Sequence, residues 1–249
     1  MTLLTTKVIL FKNIKNISPF QGSILVDEYA HMVGCVAGLL EMLKAFLLPT
    51  FTLLNVSNNN NPQTHVNNLR NHPDTVDDFF RLNARFLQRA SLPYLQSDVV
   101  PSILECALLA VNLDHKDANG SVMKFFFDLF HLGRSKEERE DYDIRSALIH
   151  RFRLEYGSRL TDSLLKAAIF YLPTWTYSDI GDIMLELMLL DRSSVCHWLE
   201  SSLKSLPQEP EGQPKVTQAQ LVKFHKAVTS AEENHQVTEA VREFCRLWR

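Results

Sequence analysis

From residue 24 to its end, the chain repeats apolar residues at helical spacing and almost nowhere at alternate positions. Val76, Phe79, Phe80, Phe86 and Leu87 share one face; so do Val122, Phe125, Phe126, Leu129 and Phe130. Further stripes follow at Val100 to Val111, Leu164 to Leu172, Ile180 to Met188, Val195 to Leu206, Leu221 to Val228 and Val237 to Trp248. Spacing of i, i+3, i+4, i+7 lines up side chains along one side of a helix. A chain written this way has one broad solution: helices that each bury a stripe against neighbours. Only the first 20 residues also suit a strand.

Polar breaks containing Pro or Gly separate the stripes, as in "LDHKDANGS", "HLGRSKEERED" and "LPQEPEGQPKVT". Most are short, as links between packed antiparallel helices are. Helices are expected to start near residues 33, 73, 97, 117, 143, 160, 177, 191, 217 and 233. Taken in pairs they recur at roughly 40 residues, the length of a HEAT-type helix pair. The fold class read from this is all-α, a superhelical α-solenoid of HEAT-type antiparallel helix pairs; a globular helical bundle is the competing arrangement. The chain divides into residues 1–23, a divergent leader without an assigned element, and residues 24–249, the solenoid. An Asn-rich stretch at 55–70 has no apolar stripe and reads as a mobile loop.

The acidic cluster in "NHPDTVDDFFRL" is explained by a helix start. Pro73 suits the first helical position, where its missing N–H costs nothing. Asp74, Asp77 and Asp78 then meet the positive end of the helix dipole. Catalytic and metal sites find little support elsewhere. No GxSxG occurs, the nine histidines form no HxxxH or HExxH pattern, and Cys196 and His197 are helical neighbours that point about 100° apart. The reading is therefore of no enzyme, no metal and no cofactor. Four dispersed cysteines without a CxxC pair suit reduced, mostly buried thiols of an intracellular protein, so the sequons at Asn16, Asn55 and Asn119 are expected to be unused. A net charge of −3 leaves no basic footprint for direct nucleic-acid binding. The most apolar stretch, from Val33, carries Glu41 and Lys44 and is expected to break at Pro49, so no membrane span is assigned. At the amino terminus the basic residues mainly follow the apolar run Val8 to Phe11, the reverse of a signal peptide.

Several stretches carry a resemblance: "LVDEY" (25–29), "GLLEMLKAFLLPTFTLL" (38–54), "NHPDTVDDFFRLNARFLQR" (71–89), "LDHKDANGSVMKFFFDLFHLG" (113–133), "DRSSVCHWLESSLKSLP" (191–207) and "QLVKFHKAVTSAEENHQVTEAVREFCRLWR" (220–249). In order, they resemble the carboxy-terminal part of importin-β family receptors of the transportin-SR type. The resemblance implies a HEAT-repeat superhelix that carries splicing factors rich in arginine–serine dipeptides into the nucleus. It implies cargo release by the GTPase Ran, and shuttling between cytoplasm and nucleus. The amino-terminal repeats that supply the main Ran-binding surface in that family have no counterpart here, nor does its arginine-rich cargo helix. The alternative is a truncated or duplicated HEAT fragment that acts only as an interaction scaffold.

One segment is singled out as a partner contact. The run "EEREDYD" places Glu137, Glu138, Glu140, Asp141 and Asp143 together, where they could steer a basic cargo. The competing reading is a solvated link between helices.

Overall fold

A computed structural model describes residues 18–32, 34–53, 69–135, 139–207 and 216–248. These residues form helices and their connections, with no strand among them.

Helix α1 (Pro19–Tyr29) starts at a capping box: Ser18 Oγ accepts from the Gln21 N–H, and the Gln21 side chain accepts from the Ser18 N–H. It crosses the boundary drawn from the sequence between residues 23 and 24. A tight turn with Gly34 at φ 78°, a left-handed value that suits glycine, leads into α2 (Val36–Leu53). Helix α2 runs through Pro49 rather than breaking there. Thr50 and Phe51, buried beyond the proline, hold the last turn on the course set by Leu39, Leu43 and Phe46. By length and composition α2 is apolar enough to cross a membrane, a test that core helices also pass.

Helix α3 (Pro73–Arg89) buries the expected stripe completely: Val76, Phe79, Phe80, Phe86 and Leu87 have no exposed surface. The short α4 (Ser91–Leu95) and α5 (Val100–Ala110) follow. Helix α6 (Lys116–His131) begins at His115, whose Nδ1 accepts from the Ala118 N–H. Asn119 is fully buried and donates to the Val111 carbonyl, so it offers nothing to a glycan; Asn16 and Asn55 lie outside the described residues, as does nearly all of the Asn-rich stretch.

Helix α7 (Tyr142–Lys166) is continuous, and a π-helical turn, Ala167–Tyr171, extends it. The start expected near 160 is absent. Gly157, which resembles a break, instead receives the Trp198 ring. Helix α8 (Tyr177–Lys204) follows a short 3-10 turn, Thr174–Thr176. It kinks at Asp191, near where a separate helix was expected. There the carboxylate accepts from the Ser194 N–H at 3.1 Å and from its hydroxyl at 2.7 Å, as an N-cap does. Helices α9 (Gln218–Thr229) and α10 (Asn234–Arg246) complete the chain, α9 from a Thr217–Gln220 capping box.

The helices form two layers. In the first, α1 packs on α3, α3 on α6, α6 on α8 and α8 on α10. The second contains α2, α4 with α5, α7 and α9, each against the first. Helices α3 and α6 run parallel: Asp77 of α3 meets Ser121 of α6, and further along Gln88 meets Asp128. This is the superhelical stack of helix pairs, not a closed bundle. First-layer helices start at Pro19, Pro73, Lys116, Tyr177 and Asn234, so the repeat is longer than the sequence spacing suggested. The long α7 and α8 and the stretch after α2 account for the excess.

Candidate partner-binding face

The first layer is held in register by polar side chains that bridge each helix to the next. Asp27 of α1 pairs with Arg89 at 2.8 Å and Arg85 at 3.3 Å on α3. Asp77 of α3 accepts from its own Arg81 and from Ser121 of α6. Gln88 donates to Asp128 of α6 at 2.7 Å. Glu186 of α8, only 5% exposed, takes a two-pronged contact from Arg134 at 2.8 and 2.9 Å and lies 3.1 Å from His131. Asn234 of α10 reaches back to the Ser178 carbonyl and to Asp182. Charge-assisted and bidentate bonds of this kind fix orientation as well as adding energy.

Above this ladder lies an open groove of 730 Å³ across α1, α3, α6 and the start of α8. Phe20, Ile24 and Trp175 line it and keep 51%, 44% and 44% of their surface exposed. Exposed apolar side chains beside fixed charges are the composition of a docking surface. The charges are of both signs. Arg81 is paired with Asp77, Arg85 with Asp27, and Lys124 with Asp128.

Carboxylates on this layer are strained by burial. Burial raises the Asp179 carboxyl above its ordinary range, and Asp182 adds to the effect. Asp182 is raised in the same way, partly offset by the Asn234 amide. Asp78 is raised by burial and then by Asp77. Each therefore favours a cation or a proton nearby.

The acidic segment picked from the sequence sits elsewhere, on the link from α6 to α7. Glu137 and Glu138 lie outside the described residues. Glu140 and Asp143 are exposed. Asp141 stands at the N-cap position of α7 and pairs with Arg139 at 3.1 Å and Arg145 at 3.8 Å, so its charge is engaged within the fold. None of these three lines the groove. Trp175 and Asp179, which do, escaped the sequence reading; a tryptophan just after Pro173 and just before a helical stripe was the available signal.

The cysteine–histidine pair forms no dyad. His225 Nε2 lies 2.9 Å from the Cys196 carbonyl oxygen, and His197 is exposed. Cys35, Cys106 and Cys245 are buried, and burial pushes the Cys106 thiol up to about 12. Among the described residues no three His, Cys, Asp or Glu side chains converge on a metal-sized space.

Residues 4–54 match the family described as the Transportin-3/Importin-13 fourth TPR domain. The match includes most of the segment set apart as a leader. Over 166 residues, or 67% of its length, the chain is 24% identical to Transportin MOS14 of Arabidopsis thaliana, of which it covers 16%. Its fold is similar to that of importin-13 in its cytosolic state, with a TM-score of 0.73 over 91% of this chain, 24% of that chain and 14% identity. The chain thus spans about a sixth of the length of the curated relative it matches. The spacing of its first-layer helices exceeds the roughly 34 residues of a TPR unit, and the step from Pro73 to Lys116 falls in the HEAT range. In sequence and in architecture the chain is similar to transportins and importins, as one stretch of a longer helical solenoid.

Proposed function

We propose that this chain is the carboxy-terminal arm of a nuclear import receptor and that it binds protein cargo along its first helical layer. The observation that carries the reading is the groove: apolar side chains and charges of both signs, exposed on one continuous layer of a solenoid whose fold is similar to importin-13. A solenoid works by presenting such an extended surface, since each unit contacts only its neighbours and leaves one face for a partner. The cargo class we propose is splicing factors rich in arginine–serine dipeptides, with release governed by Ran and shuttling between cytoplasm and nucleus. Glu140 and Asp143, with Glu137, Glu138 and Asp141, steer the basic cargo towards the arm. The receptor contributes binding and no bond chemistry.

The test is capture of an arginine–serine-rich splicing factor by the purified chain, in the presence of Ran loaded with GTP or GDP. The receptor reading predicts capture that Ran–GTP weakens and Ran–GDP leaves unchanged. Capture indifferent to the nucleotide would leave a scaffold without transport activity, and absence of capture would remove this cargo class.

A further inference from the structure

The groove contains one part-buried carboxylate to which the fold supplies no cation. Asp27 holds Arg85 and Arg89, Arg81 holds Asp77, and Lys124 holds Asp128. Asp179, in the first turn of α8, has no ion pair among the described residues. Four residues earlier, on the 3-10 turn that leads into α8, Trp175 lines the same groove with its ring substantially exposed.

We propose that Trp175 and Asp179 form an arginine-binding subsite that seats a linear segment of a protein partner. This rests on the partner-binding reading above for the nature of the guest. A guanidinium is planar, so it stacks on an indole face while its fork engages a carboxylate. A lysine ammonium is a point charge and satisfies the two less well. The segment leaves this subsite across α6 and α3 towards Ile24 and Phe20, which offer apolar contact. Neighbouring helix axes lie about 8–10 Å apart, so the path is roughly 25 Å, or about eight extended residues.

At the Trp175–Asp179 end of the groove charge complementarity favours a basic guest. Burial has taken water from Asp179 without replacing it by a cation, and the raised carboxyl agrees with that. Asp117, which is exposed, also lacks an ion pair among the described residues, and so does one lining cation, Lys116. It is exposed, hydrated and next to Asp117, so an acidic segment would gain little there.

The chain has three tryptophans, Trp175, Trp198 and Trp248, so indole N–H resonances of the full 249-residue chain separate the site from the rest. The probe is an alternating arginine–serine octapeptide, with lysine–serine, glutamine–serine and aspartate–serine versions as controls. The Trp175 signal should shift with the arginine peptide, several-fold less with lysine and not with glutamine. Asp179→Asn should weaken the arginine response by about fivefold or more, as loss of one charge-assisted contact would. A response unchanged in Asp179→Asn, or one lost only in Glu140→Gln/Asp143→Asn, overturns the subsite, as does preference for the aspartate peptide. Cargo capture by the wild type and by Asp179→Asn keeps the two claims apart. Equal capture by both ends the subsite and leaves the receptor reading. A Trp175 response without cargo capture does the reverse.

Discussion

Gly157 tests whether α7 and α8 meet as described. A Cβ at this position would lie 2.5 Å from two atoms of the Trp198 ring, well inside van der Waals contact. Two effects of Gly157→Ala oppose each other. Alanine in a helix interior is favoured over glycine by about 1 kcal/mol. Overpacking a close contact costs about 1–3 kcal/mol. The sign depends on whether the ring can move. Trp198 is half-buried, and the Arg153 guanidinium lies 5.8 Å from its ring centre. Arg153 is itself buried and tied to Asp191 at 2.9 Å, so the ring rests against an anchored neighbour. The clash should win, and Gly157→Ala should lower stability by about 1–2 kcal/mol in urea unfolding followed by circular dichroism. In a Trp198→Leu background the clash is gone, and the same substitution should stabilise by about 1 kcal/mol. The coupling is then about 2–3 kcal/mol, far above the few tenths expected of independent sites. Equal stabilisation by Gly157→Ala in both backgrounds would refute the close approach.

Other perturbations have defined signs. Asp191→Ala removes the N-cap of the second half of α8 and should cost about 1 kcal/mol from the cap alone, more because buried Arg153 loses its partner. Bonds from Ser194, then the charge of Arg153, lower the Asp191 carboxyl from 3.8. Its contribution is therefore complete above the ordinary carboxylate range and is lost as pH falls through the lowered value; urea midpoints of wild type and Asp191→Ala should converge as the pH falls below that range. Arg134→Met leaves buried Glu186 with His131 alone, and thermal unfolding should show a loss of about 3 kcal/mol; a loss under about 0.5 kcal/mol, as for a surface pair, would mean the rung is solvated. Glu140→Lys with Asp143→Lys should slow association with a basic cargo and flatten its salt dependence in stopped-flow binding, while unchanged rates would free the acidic segment of any steering role.

The sequence made the helices and their buried stripes legible because amphipathic spacing is local: Phe79, Phe80, Phe125 and Phe126 are core in the pattern and in space. Breaks were harder to read, because Gly and Pro carry more than one physical role. Gly157 resembles a boundary but makes room for a ring, and Pro49 sits inside a helix held by packing on either side. The start of α1 was written in Ser18, Pro19 and Gln21, a legible capping box that the divergent context hid. The face itself was not legible. Asp27 finds Arg89, and Glu186 finds Arg134, only after helices distant in sequence are stacked in register. The acidic run between α6 and α7 stood out because its charges are consecutive, yet Asp141 is engaged by Arg139 and Arg145, while isolated Asp179 has no such partner.

The central claim is that the first helical layer is the working face. Hydrogen–deuterium exchange of the chain with and without an arginine–serine-rich splicing factor measures this most directly. The account predicts added protection in α1, α3 and α6 and at the start of α8, with α2, α5 and α9 unchanged. Protection confined to α2, α5, α7 and α9 would place the partner on the opposite layer and contradict the account.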